Sequence, residues 1–362
     1  MSINEIIVLI MVVFMLLGAV DRILGGKFGL SRQFEEGILT MGSLALAMLG
    51  MISLAPVLAG LLRPVLGPVF RVFGADPAMF AGSILACDMG GASLAAELAE
   101  TREAALFSGI IVGSMLGPTI VFNIPVALGI IGKEDHSALA RGVLAGVITV
   151  PLGALAGGLA AGFPVAMVLR NLIPIAIFAV LIALGLWKLE RGMIRGFLIF
   201  GRIVLIVITV GLAAAIAEKL TGIVMIPGMA PISEGIAVVG DIAIVLAGAF
   251  PLVYGITRLF RKPLMKLGGL LGMNEVAAAG MVASLANSIP MFGMMKEMDG
   301  RGKVLNVAFA VSASFVFGDH LGFTAGFAPE MLAPMIAGKL AGGVTAVAAA
   351  LLLTRRKPNE PG

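Results

Sequence analysis

The chain has very little of what most catalytic and metal-binding proteins use. Its 362 residues include one cysteine, Cys87, one tryptophan and two histidines, His136 and His320. A single cysteine excludes an intramolecular disulfide, and two isolated histidines lack the spacing of a metal-binding pair. No phosphate-binding Gly-x4-Gly-Lys-Ser/Thr sequence occurs, which excludes an ATP-driven pump. We therefore expect no metal, no cofactor and no enzymatic activity.

Charge is also scarce. Charged residues make up 13% of the chain and hydrophobic residues 59%, and the mean hydropathy is +1.09. A soluble domain has about 25% charged residues, and apolar runs long enough to cross a bilayer recur along the whole chain. The composition therefore predicts an all-α, multi-pass membrane protein. The basic pI of about 9.4 comes from loop residues, so it indicates topology and not nucleic-acid binding.

The sequence repeats itself at an offset that stays between 192 and 201 residues. Charged, glycine and proline landmarks recur in the same order. The clearest matches are Glu36-Gly37 with Glu234-Gly235, Arg63-Pro64 with Lys262-Pro263, and Gly117 with Gly318. Internal repeats are typical of secondary transporters, whose substrate site lies where the copies meet.

The apolar segments have matching breaks in the two copies. They are predicted at 4–20, 37–62, 77–98, 103–131, 137–162, 164–187, 197–217, 236–257, 272–295, 302–328 and 331–353. The resulting division is repeat 1 at 1–162, a linking span and loop at 163–196, repeat 2 at 197–354, and a cytoplasmic tail at 355–362.

Two matched segments, 77–98 and 272–295, are interrupted near their middle, so each is either a re-entrant hairpin or a kinked full span. Cytoplasmic loops are enriched in lysine and arginine. If both segments are hairpins, 19 of these residues fall inside and four outside; as full spans, the numbers are 11 and 12. The sequence therefore predicts nine spans, two hairpins, an outside N-terminus, a cytoplasmic C-terminus and inverted copies. Kinked full spans remain the alternative, and they would make the copies parallel.

The hairpins carry the first candidate site residues. Asp88 lies at the first predicted tip, where a carboxylate would attract a cation, and Glu97 follows on the same hairpin. Asn287 and Ser288 occupy the second tip and could hydrogen-bond a substrate. The alternatives are structural pairing of Asp88 with a lysine, solvation of Glu97 near the outer mouth, and capping by Asn287.

The span after each hairpin is also broken. The first, 103–131, carries Thr119 and Asn123 at its break. The second, 302–328, carries the adjacent Asp319 and His320, which could bind an ammonium group or carry a proton. The structural alternatives are helix capping by Thr119 and Asn123 and an Asp319–His320 hydrogen bond that fixes the break.

Two further cations, Lys339 and Arg170, lie within spans. Lys339 could neutralise one of the acidic residues, and Arg170 could extend its charge to the interface. One tryptophan and one tyrosine cannot form the aromatic cage that quaternary ammonium ligands favour. A small primary ammonium held by carboxylates and carbonyl groups therefore fits this chain better than choline.

Four motifs strongly resemble the EutH family of bacterial ethanolamine permeases: ACDMGG (86–91), GSMLGPTIVF (113–122), IPMFGMM (289–295) and FGDHLGF (317–323). The resemblance runs from the N-terminus to about residue 353. It implies import of ethanolamine across the bacterial inner membrane, and together with the repeats we expect a secondary transporter that works by alternating access. The hairpin-plus-broken-helix plan is also similar to that of concentrative nucleoside transporters, but only as an architectural analogy.

Alternative functions remain open at this point. A channel or facilitator for ammonia or another small amine is the main one, and an intramembrane enzyme using Asp319 and His320 lacks a nucleophile or metal cluster. Coupling to a proton or sodium ion and assembly into a homo-oligomer are not decided by the sequence.

Overall fold

The computed structural model describes residues 3–354, without five side chains between 260 and 267, and the predicted tail at 355–362 lies outside the described residues. Across 3–354 the chain forms helices and no strand, which confirms the prediction of an all-α membrane protein. The helices of the first half are α1 Ile3–Ile23, α2 Leu30–Val72, α3 Met79–Ile84, α4 Gly91–Leu98, α5 Arg102–Leu106, α6 Leu116–Pro118, α7 Ile124–Ile130, α8 His136–Val147 and α9 Val150–Ala160.

A single long helix joins the halves, and the order of elements then recurs. The remaining helices are α10 Val165–Lys188, α11 Glu190–Thr221, α12 Ile232–Leu270, α13 Glu275–Ser284, α14 Ser288–Met294, α15 Gly300–Ala313, α16 Asp319–Phe327 and α17 Leu332–Leu353. The longest helices of the two halves, α2 with 43 residues and α12 with 39, occupy matching places in the order.

Among residues 3–354, seven helices are long and apolar enough to cross a membrane. The pair Arg102–Ser114 and Leu116–Ile130, bent by 41°, counts as an eighth. The sequence predicts a ninth span at 302–328, where the structure has α15 and α16 separated by a turn, each shorter than the bilayer is thick.

Each interrupted segment folds back on itself, because its two ends are tied together. At the first hairpin (α3 and α4), the Glu100 N–H donates to Asp76 Oδ2 at 2.9 Å. At the second hairpin (α13 and α14), the Asn274 N–H donates to Asp299 Oδ1 at 2.8 Å. A straight helix would place such ends about 36 Å apart. How deep the hairpins lie in a membrane stays a prediction.

Helices α2 and α12 cross in opposite directions through matched glycines. A Cβ atom at Gly37 would lie 2.5 Å from the Ala247 nitrogen, and one at Gly235 would lie 2.8 Å from the Leu49 side chain. As the numbering rises along α2, the contacted position on α12 falls, so the helices are antiparallel. The contacts are reciprocal, because 37 and 49 correspond to 235 and 247 at one offset.

The first helix of each half packs against the long helix of the other half. Gly50 on α2 packs on the carbonyl of Ile208 in α11, and Gly248 on α12 packs on the carbonyl of Met11 in α1. Small residues permit this close backbone approach, which is how helices associate in lipid. The fold therefore interlocks the two halves around α2 and α12, and both hairpins pack against this central pair.

Candidate functional site

The backbone breaks of both halves lie against hairpin carbonyl groups. A Cβ atom at Gly117 would lie 1.9 Å from the carbonyl oxygen of Leu85, and one at Gly318 would lie 2.0 Å from that of Ala286. Both positions therefore require glycine. The two contacts are equivalent in the repeat, and each fixes a hairpin tip beside the break in the following span.

An open cavity of about 660 Å³ lies between α2, α12, the second hairpin and the start of α16. Its lining includes the charged or polar side chains of Glu36, Arg258, Asn287 and Asp319. Glu36 and Arg258 are exposed at its mouth, and Asp319 is half-buried at its inner end.

A smaller pocket of about 40 Å³ continues from this point, because Asp319 lines both spaces. Its other walls include Asp88, His320, Phe122 and Phe315. One water molecule needs about 10–15 Å³ of such space, so the pocket has room for a ligand of a few heavy atoms. The structure thus brings Asp88, Asp319 and His320 together as the sequence predicts.

A fully buried lysine continues the polar cluster away from the pocket. Lys339 Nζ donates to the carbonyl oxygen of Ser114 and lies 3.0 Å from His320 Nδ1. An ammonium group has no acceptor, so Nδ1 accepts and the ring proton is on Nε2. That nitrogen faces Asp88 Oδ1 at 3.8 Å, which is too long for a direct hydrogen bond.

A second polar network joins the halves beside this cluster. Ser288 Oγ donates to Asn123 Oδ1 at 2.8 Å, and Asn123 Nδ2 donates to Ser314 Oγ at 3.2 Å. Thr119 Oγ1 contacts the carbonyl oxygens of Met115 and Val311 at 2.9 and 3.1 Å. These buried side chains therefore hold the second hairpin tip against both breaks, and Asn123 makes no side-chain capping hydrogen bond at the start of α7.

The remaining two sequence candidates lie in different settings. Asn287 caps α14, with its Oδ1 accepting the Ile289 N–H at 2.8 Å, and it also lines the open cavity. Pro290 lies in the first turn of α14, where its missing N–H costs no helical bond. Glu97 is exposed on α4, and its backbone carbonyl accepts from Arg63. The structure does not bring Glu97 to the cluster.

Phe315 has an unusual backbone conformation at the second break. Its φ of 63° is positive, and it is the only non-glycine residue of the described chain with this property. For a bulky side chain this conformation is strained, and strain of this kind clusters at functional sites. The Phe315 ring lies 5.2 Å from that of His320 and meets Phe122 edge-on at 5.6 Å, so aromatic faces line the pocket beside the carboxylates.

The cluster also contains three groups that can bind metals. Donor atoms of Cys87, Asp88 and His320 lie within 4.8 Å of one another. However, Lys339 Nζ contacts the other nitrogen of the same imidazole, so a metal ion there would face a buried ammonium group.

The sequence missed two parts of this site. Glu36 stands out in the sequence only as a repeat landmark matched by Glu234, but it lines the open cavity together with Asp319. Lys339 was noted only as a possible neutralising charge, although an isolated lysine within an apolar span is itself a functional signal. The aromatic walls gave no signal, because 20 phenylalanines are spread over the chain.

The matching place at the first hairpin is closed. Gly90 has a φ of +87°, and a Cβ atom there would lie 1.8 Å from the Met51 side chain of α2. The equivalent positions in the second half, Pro290 and Phe250, both line the open cavity. The two halves thus share one architecture, but within residues 3–354 the cavity of about 660 Å³ lies between the hairpin and the long helix of the second half.

The comparisons with known proteins agree over the whole chain. Residues 3–353 match the family described as "Ethanolamine utilisation protein, EutH". A protein of Listeria monocytogenes named probable ethanolamine permease EutH is 65% identical over 98% of this chain and 95% of its own length. Proteins of the same name from Salmonella typhimurium and Escherichia coli are 55% and 54% identical, over 98% and 99% of this chain and 96% and 97% of their own. No solved structure matches.

Proposed function

This chain belongs to the EutH family, and on that premise we propose that it is a permease that imports ethanolamine across the bacterial inner membrane by alternating access. The main support for this proposal is the pocket where Asp88, Asp319 and His320 meet at the junction of the two halves. It has the size of a small amine, and its two carboxylates suit an ammonium group.

Asp319 receives the ammonium group from the open cavity, because it lines both spaces. Glu36 at the mouth attracts the cation electrostatically. Asp88 and the Nε2–H of His320 then complete the site, one accepting from the ammonium and the other donating to the hydroxyl. The faces of Phe122 and Phe315 add a favourable field for a cation.

The difference between the halves supports the proposal of alternating access. The antiparallel crossing of α2 and α12 and the reciprocal glycine contacts support an inverted duplication. On the predicted topology, the open cavity faces the cytoplasm and Met51 closes the outer side over Gly90. Exchanging the two arrangements would open the outer side next to Asp88 and close the inner side, with the pocket fixed between them.

The direct test is uptake of labelled ethanolamine by proteoliposomes containing the purified protein. Saturable uptake with counterflow supports a transporter, whereas uptake proportional to concentration and without counterflow supports the channel for a small amine. Repeating the measurement with imposed proton or sodium gradients determines the coupling.

The site assignment is tested by Asp88→Asn and Asp319→Asn. A charge-assisted hydrogen bond contributes about 1.5–3 kcal/mol, so each variant should weaken ethanolamine uptake about 10- to 100-fold. Glu97→Gln is the matched control, because Glu97 is exposed outside the cluster, and we expect it to transport normally. Normal transport by both asparagine variants would show that the site assignment is wrong.

A further inference from the structure

Lys339 lies deep in the protein, separated from the substrate pocket by the imidazole ring of His320. Its side chain is fully buried on α17, and its Nζ reaches the Ser114 carbonyl at the first break. On the other side Nζ contacts His320 Nδ1 at 3.0 Å, and the opposite edge of that ring faces Asp88. A buried cation of this kind is costly unless nearby groups compensate it.

The charges around the pocket can be counted from the groups that line or contact it. Asp88 and Asp319 are the acidic groups of the pocket, and Lys339 is the cation. His320 is neutral, because the Lys339 ammonium group occupies its Nδ1 lone pair and opposes a second positive charge beside it. Glu36, at the mouth of the larger cavity, is exposed to solvent. With both carboxylates ionised and Lys339 protonated, the net charge of the pocket is one negative unit.

We propose that Lys339 makes this site selective for singly charged amines, by neutralising one of its two carboxylates. The proposal rests on the proposed function and specifies the charge class of its substrate. One ammonium group makes the loaded pocket neutral, which is the state that can be occluded in a membrane at the lowest electrostatic cost. A second positive charge would leave an excess cation beside Lys339.

Replacing Lys339 should therefore change which amine fits. Lys339→Met keeps an unbranched side chain of similar length and removes the charge, so that no nearby lysine offsets the two carboxylates. The pocket then suits a dication, and diprotonated ethylenediamine has the length of ethanolamine with an ammonium group in place of the hydroxyl. Lys339→Arg keeps the charge and should keep the selectivity.

The experiment measures competition against labelled ethanolamine uptake in proteoliposomes, at a pH low enough to protonate both amines of ethylenediamine. In the wild type, we expect propylamine to compete and ethylenediamine to compete poorly. In Lys339→Met, ethylenediamine should gain about tenfold or more relative to ethanolamine, the expected effect of one unit charge at this range in a protein. Arg170→Met is the control, because Arg170 is an exposed cation on α10 away from the pocket.

The wild-type result tests the proposal even if Lys339→Met fails to fold. Equal competition by ethylenediamine and ethanolamine in the wild type would overturn it. So would an unchanged preference in a folded Lys339→Met, or the same altered preference in Lys339→Arg. If the wild type transports no ethanolamine, the proposed function fails, and binding of the same amines to the detergent-purified protein tests the charge selectivity. Failure to bind any of them would overturn the selectivity as well.

Discussion

The two hairpins have the same architecture and different surroundings. The first lies directly against α2, with Met51 over Gly90, and carries Asp88 at its tip. The second borders the cavity of about 660 Å³ and carries Asn287 and Ser288. The comparison teaches that the two halves share backbone geometry, at Gly117 and Gly318 for example, but differ in their side chains. A site between such halves is symmetric in shape and asymmetric in charge.

A second comparison concerns two ion pairs at equivalent positions, each joining a broken span of one half to the last helical segment of the other. Lys303 Nζ lies 2.5 Å from Asp135 Oδ1, with side chains 18% and 4% exposed. Arg102 lies 2.6 Å from Glu330, with side chains 79% and 47% exposed. The same connection is thus buried on one side of the protein and solvated on the other.

Breaking these pairs should give the largest and most unequal effect. Lys303→Met leaves Asp135 buried without its partner, which costs about 3–5 kcal/mol. Arg102→Met removes an exposed pair that contributes about 0–1 kcal/mol. Thermal unfolding in detergent should show a clear loss for the first variant and little change for the second. Equal losses would mean that the two sides are packed alike.

The glycine contacts provide the next test, in which the two halves should behave alike. Gly117→Ala and Gly318→Ala each place a methyl group against a hairpin carbonyl, and such overpacking costs about 1–3 kcal/mol. Gly42→Ala and Gly240→Ala are the controls, because a Cβ atom meets nothing within 4 Å at either position. In a helix these controls should be neutral or stabilising by up to about 1 kcal/mol. A strong loss for only one of the two break variants would weaken the proposed equivalence.

The smallest effect is expected from cysteine substitutions, whose labelling tests which face of the protein has the open cavity. Thr257 lines the cavity, while the equivalent Ala59 is 2% exposed. With a membrane-impermeant maleimide, Thr257→Cys should react readily from the cytoplasmic face and Ala59→Cys slowly and only from the outer face. Cys87, the only native cysteine, is buried and provides the baseline. Labelling of both positions from the same face would contradict the inverted arrangement.

Much of the fold was predictable, because the membrane imposes strong rules on sequence. Long apolar runs must be helices, since no other open structure satisfies the backbone in lipid. The interruptions at 87–91 and 287–290 predicted two short helices each, and the structure has them. The position of the first bend was predicted less well. The chain bends at Met115, ahead of Gly117, and π-helical segments lie on both sides of the bend.

The site was predictable in part, for a physical reason. Asp88, Asp319 and His320 stood out because charge in an apolar span is costly. Thr119, Asn123 and Ser288 stood out because polar side chains in an apolar span are also costly. In the structure, however, Ser288 hydrogen-bonds to Asn123, and Thr119 hydrogen-bonds to a backbone carbonyl oxygen. Whether a buried polar group is satisfied internally depends on neighbours that are distant in sequence, such as Ser314 and Val311.

The sequence by itself determined the helical membrane fold and the family, because these depend on composition and on local motifs; the duplication that its landmarks indicate stays a prediction. Only the tertiary structure decided that Lys339 meets His320, that Glu36 shares a cavity with Asp319, and that Met51 closes one hairpin while the other stays open. Those features depend on distances between residues up to some 280 positions apart, which local pattern does not encode.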